Sequence, residues 1–120
     1  MNEPTVTITG NVAAPAKLRY TPGDKIPVTD LRLAVNIRRQ QGDQWITTST
    51  LWYEVTVWRA LAQTVATSVR VGDRLTVIGR ATDVHTYADG HGEIQATTKV
   101  TAESVTTALE QRSTESATTF

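Results

Sequence analysis

The sequence contains no cysteine. Disulfides and cysteine-ligated zinc are therefore excluded, and the chain can work in a reducing compartment. It also lacks any apolar run approaching the length of a bilayer crossing, and its start, MNEPTVTITG, is polar and unlike a signal peptide. No membrane association is expected, and a cytoplasmic location is. Net charge is missing too: twelve basic side chains balance twelve acidic ones, which at first sight argues against a nucleic-acid partner. The balance hides a gradient, because ten basic residues face six acids through residue 82 and two face six from Asp83 onward. A local basic surface is compatible with the neutral sum.

Catalytic patterns are absent as well. Gly10, Gly72 and Gly79 stand apart and form no phosphate loop, and no HExxH or nucleophile motif organises the Ser, His and Asp residues. His85, His91, Asp83 and Asp89 lie near one another but flank a hairpin tip. No enzyme, metal site or cofactor is expected. The 120 residues suffice for one domain with one core.

What is present is mostly strand-like alternation. Thr5 to Val12 alternates, with Val6 and Ile8 facing one way, and Gly10 suggests a bulge or bend. AAPAKLRYTPGDK, with Pro15, Pro22 and Gly23, reads as irregular or hairpin-like, with TPGD a turn. In VTDLRLAVNIR, Leu31, Leu33, Val35 and Ile37 make a core face, and Arg32 and Arg38 stand on the opposite one. RQQGDQWITTS reads as a long hairpin connection carrying Trp45. In TLWYEVTVW, Leu51, Tyr53, Val55 and Val57 share the core face, while Trp52 and Trp58 bracket the other. The period then changes: Leu61, Val65 and Val69, with Ala62 and Ala66, predict a short amphipathic helix of about three turns. Leu75 to Ala81 is the fourth strand. An ADGHG tip joins a strand ending near Tyr87 to a fifth in which Ile94, Ala96, Thr98, Val100 and Ala102 share a face.

The order β-β-β-α-β-β predicts an all-β domain with one short helix, the five-stranded Greek-key barrel called the OB fold, which binds oligonucleotides and oligosaccharides across strands two and three. Tryptophans beside arginines on those strands suit unpaired bases, which stack on rings while cations follow the phosphates. Two other readings stand beside this. The tryptophans could be buried in a subunit interface, making the chain an oligomer scaffold or protein-interaction module. Arg32 and Arg38 could serve in cross-strand pairs with Asp30 or Glu54.

The segments TGNVAAPAKLRYTPGDK, LRLAVNIRR, TLWYEVTVWRALAQTVATSVRVGDRLTVIGRA and YADGHGE, in that order, resemble the bacterial single-stranded DNA-binding protein family over about residues 5 to 109. The resemblance implies that Trp52 and Trp58 occupy the family's stacking positions in strand three and that Tyr87 occupies the aromatic position in the last hairpin. Arg38 or Arg39 fills the position of a ring at the end of strand two, where the adjacent Trp45 is a substitute. Arg32, Arg38, Arg39 and Lys17 or Arg59 are expected to neutralise phosphates. The resemblance implies a homotetramer, or another homo-oligomer, that protects single-stranded DNA during replication, repair or recombination. A domain over 1–109 and a short polar, disordered tail over 110–120 are expected. That tail, LEQRSTESATTF from Leu109, lacks the acidic tip and penultimate proline usual in the family, which speaks against tail-mediated recruitment of other proteins. A short actinobacterial-type paralogue or mobile-element version fits this pattern better than the housekeeping form.

Overall fold

The computed structural model describes residues 3–108. The strands are β1 (Thr5–Tyr20), β2 (Pro27–Gln41), β3 (Gln44–Trp58), β4 (Arg74–Ala88) and β5 (Ile94–Thr107), with the helix α1 (Arg59–Ser68) between β3 and β4. They close a barrel in the order β1-β2-β3-β5-β4. All neighbours are antiparallel except β3 and β5. This is the expected OB architecture.

Alternation fills the barrel. Ile8, Val12, Leu31, Leu33, Val55, Val57, Leu75, Val77 and Val100 point inward, and Ala62 and Val65 of α1 pack against them. Thr29, fully buried, donates its hydroxyl to the Ala62 carbonyl at 3.0 Å and ties β2 to the helix. A buried hydroxyl with a partner avoids the desolvation cost of an orphan.

Closure depends on β1 changing partner. Residues Thr5 to Asn11 pair with β4, Asn11 to Tyr20 pair with β2, and Asn11 itself lies opposite both Arg74 and Ala34. A Cβ on Gly10 would sit 2.8 Å from the Ala34 carbonyl oxygen, so glycine admits the close strand approach at this switch. The bulges expected at Gly10 fall later, between Val12 and Ala14 and between Ala14 and Lys17.

Three expectations need correction. Of the two readings of the segment after Val12, the hairpin holds and the irregular one does not: β1 runs on through Tyr20, with Pro15 inside a register shift, where a missing N–H breaks no ladder bond. The TPGD turn follows it, with Gly23 at φ 79. RQQGDQWITTS is not a loop either. Strands β2 and β3 continue as a two-stranded ribbon to a two-residue turn, with Gln41 opposite Gln44 and Gly42 at φ 62, as a type II′ turn requires. Trp45 is therefore a strand residue opposite Gln40. Finally, the strand from Leu75 to Ala81 and the strand expected to end near Tyr87 are one: β4 passes a bulge at Thr82 and continues to Ala88 as half of a second ribbon. Because both ribbons leave the barrel, Ile37 and Leu51, assigned to core faces by their period, are exposed, as is Ile94. The tail expected over 110–120 lies outside the described residues.

Candidate nucleic-acid interface

The β2–β3 register sets the outer face. Val28 lies opposite Trp58, Asp30 opposite Thr56, Arg32 opposite Glu54, and Ala34 opposite Trp52. Directly opposed residues share a face, so both tryptophans stand on the side carrying Arg32. The Arg32 guanidinium carbon is 4.5 Å from the Trp52 ring centroid, a cation–π contact. Arg32 Nη2 also donates to the Tyr87 hydroxyl at 3.4 Å. That bond crosses from β2 to β4, so the β4–β5 ribbon bends over the face that bears Trp52. Thr97, opposite both Trp52 and His85, is correspondingly buried although it belongs to the outer face.

Sequence reasoning pairs Arg32 with Asp30 or Glu54 as one alternative. The structure gives Asp30 to other residues: Arg19 Nη2 at 2.8 Å and the Thr56 hydroxyl at 3.0 Å. Among the described residues Arg32 and Arg38 form no ion pair, which leaves their charge available.

A bulge settles the placement of Trp45. Ile37 lies opposite Ser49 but Arg38 opposite Thr47, so Thr48 is the extra residue, and its hydroxyl donates to the Ile37 carbonyl at 3.2 Å. Unbroken alternation would group Trp45 with Leu51 and Tyr53. The extra residue instead puts it on the face of Arg38, Asn36 and Trp52. Trp45 is 64% exposed, Tyr87 42% and Trp58 40%. Arg39, opposite Ile46, falls on the other face of the ribbon. Lys17 lines a groove between the bulged end of β1 and β2 with Arg19, Asp30, Arg32 and Glu54. Arg59 is exposed and turns the chain from β3 into α1 at φ 63. The structure thus gathers Arg32, Trp52 and Tyr87, sets Trp58, Arg38 and Trp45 further along the same face, and leaves Arg39 apart.

Two residues of this face escape a reading by sequence alone. His85 ends the row Trp52–Thr97–His85 across β3, β5 and β4, and Lys99 stands beside Glu54 in the adjacent row. The signal was the alternation Asp83, His85, Tyr87, which becomes readable once β4 is known to extend that far. His85 Nε2 lies 3.4 Å from Asp83. No group of three metal-ligating side chains occurs among the described residues. At the ribbon tip, the Asp89 carboxylate accepts from the backbone of His91 at 2.8 Å, from the Gln95 amide at 3.1 Å and from the backbone of Glu93 at 3.0 Å. These bonds hold its pKa below the ordinary carboxylate value, with the His91 bond the largest cause.

Exposed rings, unpaired guanidinium groups and an open face suit an extended polyanion with planar side groups. Residues 3–108 match the model of the single-strand binding protein family. A single-stranded DNA-binding protein of Corynebacterium glutamicum is 33% identical over 107 residues, covering 88% of this chain and 47% of that protein. One of Paenarthrobacter aurescens is 35% identical over 80 residues, covering 65% and 46%. The chain thus spans about half the length of the curated relatives it matches. The crystal structure of a small single-stranded DNA-binding protein from Streptomyces coelicolor aligns with a TM-score of 0.76 and 29% identity, over 91% of this chain and 97% of that one. With a match that takes in the whole barrel and both ribbons, this chain belongs to the single-strand binding protein family.

Proposed function

We propose that this protein binds single-stranded DNA without sequence preference and performs no catalysis. Bases stack on Trp52, Trp58, Tyr87 and Trp45, while Arg32, Arg38, Arg59 and Lys17 neutralise phosphates; Arg39, on the other face of the ribbon, is not part of this platform. The observation that carries this reading is the Arg32–Trp52–Tyr87 cluster on an open barrel face. A stacked base contributes about 1–3 kcal/mol and any base can supply it, so a ring platform gives affinity without a code. A duplex hides its ring faces and offers nothing to the platform. The relatives' names and the family match support the same ligand. Protection of single strands in the cytoplasm during replication, repair or recombination follows as the role of such a binder.

A second feature favours self-association, with a homotetramer as the form the family resemblance implies. Ile37, Ile46 and Leu51 on one ribbon, and Val84 and Ile94 on the other, are exposed apolar side chains. Burial of such residues against a copy of the chain would remove them from water. In the rival scaffold reading, the tryptophans themselves would lie in that contact.

Tryptophan fluorescence during titration with oligo-dT tests the proposal, with a duplex control and several salt concentrations. Strong quenching by the single strand alone is expected, with affinity falling as salt rises. Absent quenching, with emission already blue-shifted in the free oligomer, would assign the rings to a subunit contact.

A further inference from the structure

A carboxylate stands in the middle of the cationic and aromatic face. Glu54 lies on β3 between Trp52 and Trp58, opposite Arg32 on β2 and Lys99 on β5. Neither cation neutralises it: among the described residues Glu54 forms no ion pair, and its carboxylate accepts no hydrogen bond. Arg32 is turned instead to the Trp52 ring and the Tyr87 hydroxyl. Asp30, on the same face, is held by Arg19 and Thr56, whereas Glu54 keeps its acceptors free. A charge of the ligand's own sign costs affinity for a polyanion unless the ligand brings donors to it. Phosphates bring none, and base edges do.

The surroundings admit a base. Glu54 and Arg32 line the groove between the bulged end of β1 and β2, a space of about 320 Å³ to which Ala14, Pro15 and Leu31 add apolar surface. That volume lies within the range of small-molecule sites, which combine apolar walls with a few polar groups. Glu54 is two residues from Trp52 along β3, about 7 Å, so the base on that ring or its neighbour can bring an edge to the carboxylate. An ionised carboxylate only accepts, and the bases differ in what they offer it. Thymine offers one N3–H between two carbonyl oxygens, which repel a carboxylate. Cytosine and adenine each offer an amino group beside a ring-nitrogen acceptor. Guanine alone offers two parallel donors, N1–H and the 2-amino group, which match both oxygens of one carboxylate as a charge-assisted fork. We infer that Glu54 is a base-edge acceptor that favours guanine beside Trp52 and disfavours thymine there. Stacking stays blind to the base, and one carboxylate meets whichever base arrives, so the result is a bias in composition and not the reading of an ordered site. The inference rests on the proposed single-strand binding and names the base that this binding favours.

The test compares two oligonucleotides in which dT alternates with either dG or deoxyinosine, which differs from dG only by lacking the 2-amino group. Long-range charge and backbone contacts are common to both, so their affinity ratio isolates the base edge. Wild-type protein should bind the dG strand about five-fold tighter or more, the low end for one bidentate contact to a base. Glu54→Gln and Glu54→Ala should bring the ratio close to one. Both should also bind plain oligo-dT a few-fold tighter than wild type, because the repulsion between carboxylate and phosphates is gone. Glu54 makes no bond in the fold, so both variants should remain folded, and circular dichroism checks this. A ratio near one in the wild type, or an unchanged ratio in folded Glu54→Ala, would overturn the assignment of Glu54. Absence of binding to any of the single strands by the wild type would instead overturn the underlying single-strand reading.

Discussion

The Arg32 guanidinium rests 4.5 Å from the centre of the Trp52 ring while donating to the Tyr87 hydroxyl. One arginine thus links β2, β3 and the bent β4–β5 ribbon. It has two separable jobs: as a charge it attracts phosphate, and as a plane it holds the indole in position. Arg32→Lys keeps the charge but loses the planar stack and the fork geometry. We expect Arg32→Lys to retain the wild-type salt slope with affinity reduced a few-fold, and Arg32→Ala to reduce both. Oligo-dT titrations at three salt concentrations distinguish these outcomes; equal slopes in all three proteins would mean that Arg32 meets no phosphate.

Trp52→Ala with Trp58→Ala should weaken binding by about 2–6 kcal/mol at most, from two stacks of about 1–3 kcal/mol each. The loss should be alike for oligo-dT, oligo-dC and mixed sequences. The core residues Val55 and Val57 between them face inward, so unfolding temperature should change little. A folded double mutant with wild-type affinity would remove both rings from the platform, and its dissociation to monomers would favour the scaffold reading.

The barrel was legible in the sequence because burial writes a period. Leu31 and Leu33, or Val55 and Val57, alternate with polar neighbours because one face meets the core. Where burial ends, the period loses its meaning. The ribbon parts of β2 and β3 are polar or exposed on both faces, are held by cross-strand pairing, and look like a loop in one dimension. Trp45 was misplaced on that account, and its true face depends on one extra residue, Thr48. Tyr87 could be named from its family position, but its contact with Arg32, 55 positions away in sequence, exists only after the ribbon bends over the barrel.

Glycine positions make a stability prediction that is independent of ligand. A Cβ on Gly79 would collide with the Thr101 carbonyl oxygen of the neighbouring strand, while one on Gly90 meets nothing within 4 Å. Backbone cannot yield as a flexible side chain can. Gly79→Ala should destabilise by about 1–3 kcal/mol, the usual cost of overpacking, and Gly90→Ala should be close to neutral. Urea unfolding of the two variants checks this contrast.

The Asp89 bonds give the ribbon tip a pH dependence. A carboxylate whose folded pKa lies below its unfolded value stabilises the fold above the unfolded value, here 3.8, and loses that contribution as pH falls through the folded pKa. The tip should therefore stay ordered at neutral pH and loosen only in acid below about pH 4. Amide exchange at His91 and Glu93 reads this directly, since both N–H groups bond to Asp89. Asp89→Ala should expose the same amides at pH 7. If their protection is unchanged, the carboxylate does not organise the tip.

The spacing of the rings predicts a dependence on oligonucleotide length. Trp58 lies six residues from Trp52 along β3, or about 20 Å at about 3.3 Å per residue, and Trp45 lies a similar distance the other way, allowing for the bulged Thr48. A strand must therefore extend along the face to meet either outer ring together with Trp52. Trp45→Ala should leave the affinity of a very short oligo-dT unchanged and weaken a longer one by about 1–3 kcal/mol, because only the longer strand reaches the ribbon. Trp52→Ala should weaken both, since the central ring is engaged at any length. Equal losses at all lengths for Trp45→Ala would mean that Trp45 and Trp52 bind one local segment. The ribbon would then have to fold back over the barrel, and the face would be a pocket rather than a track.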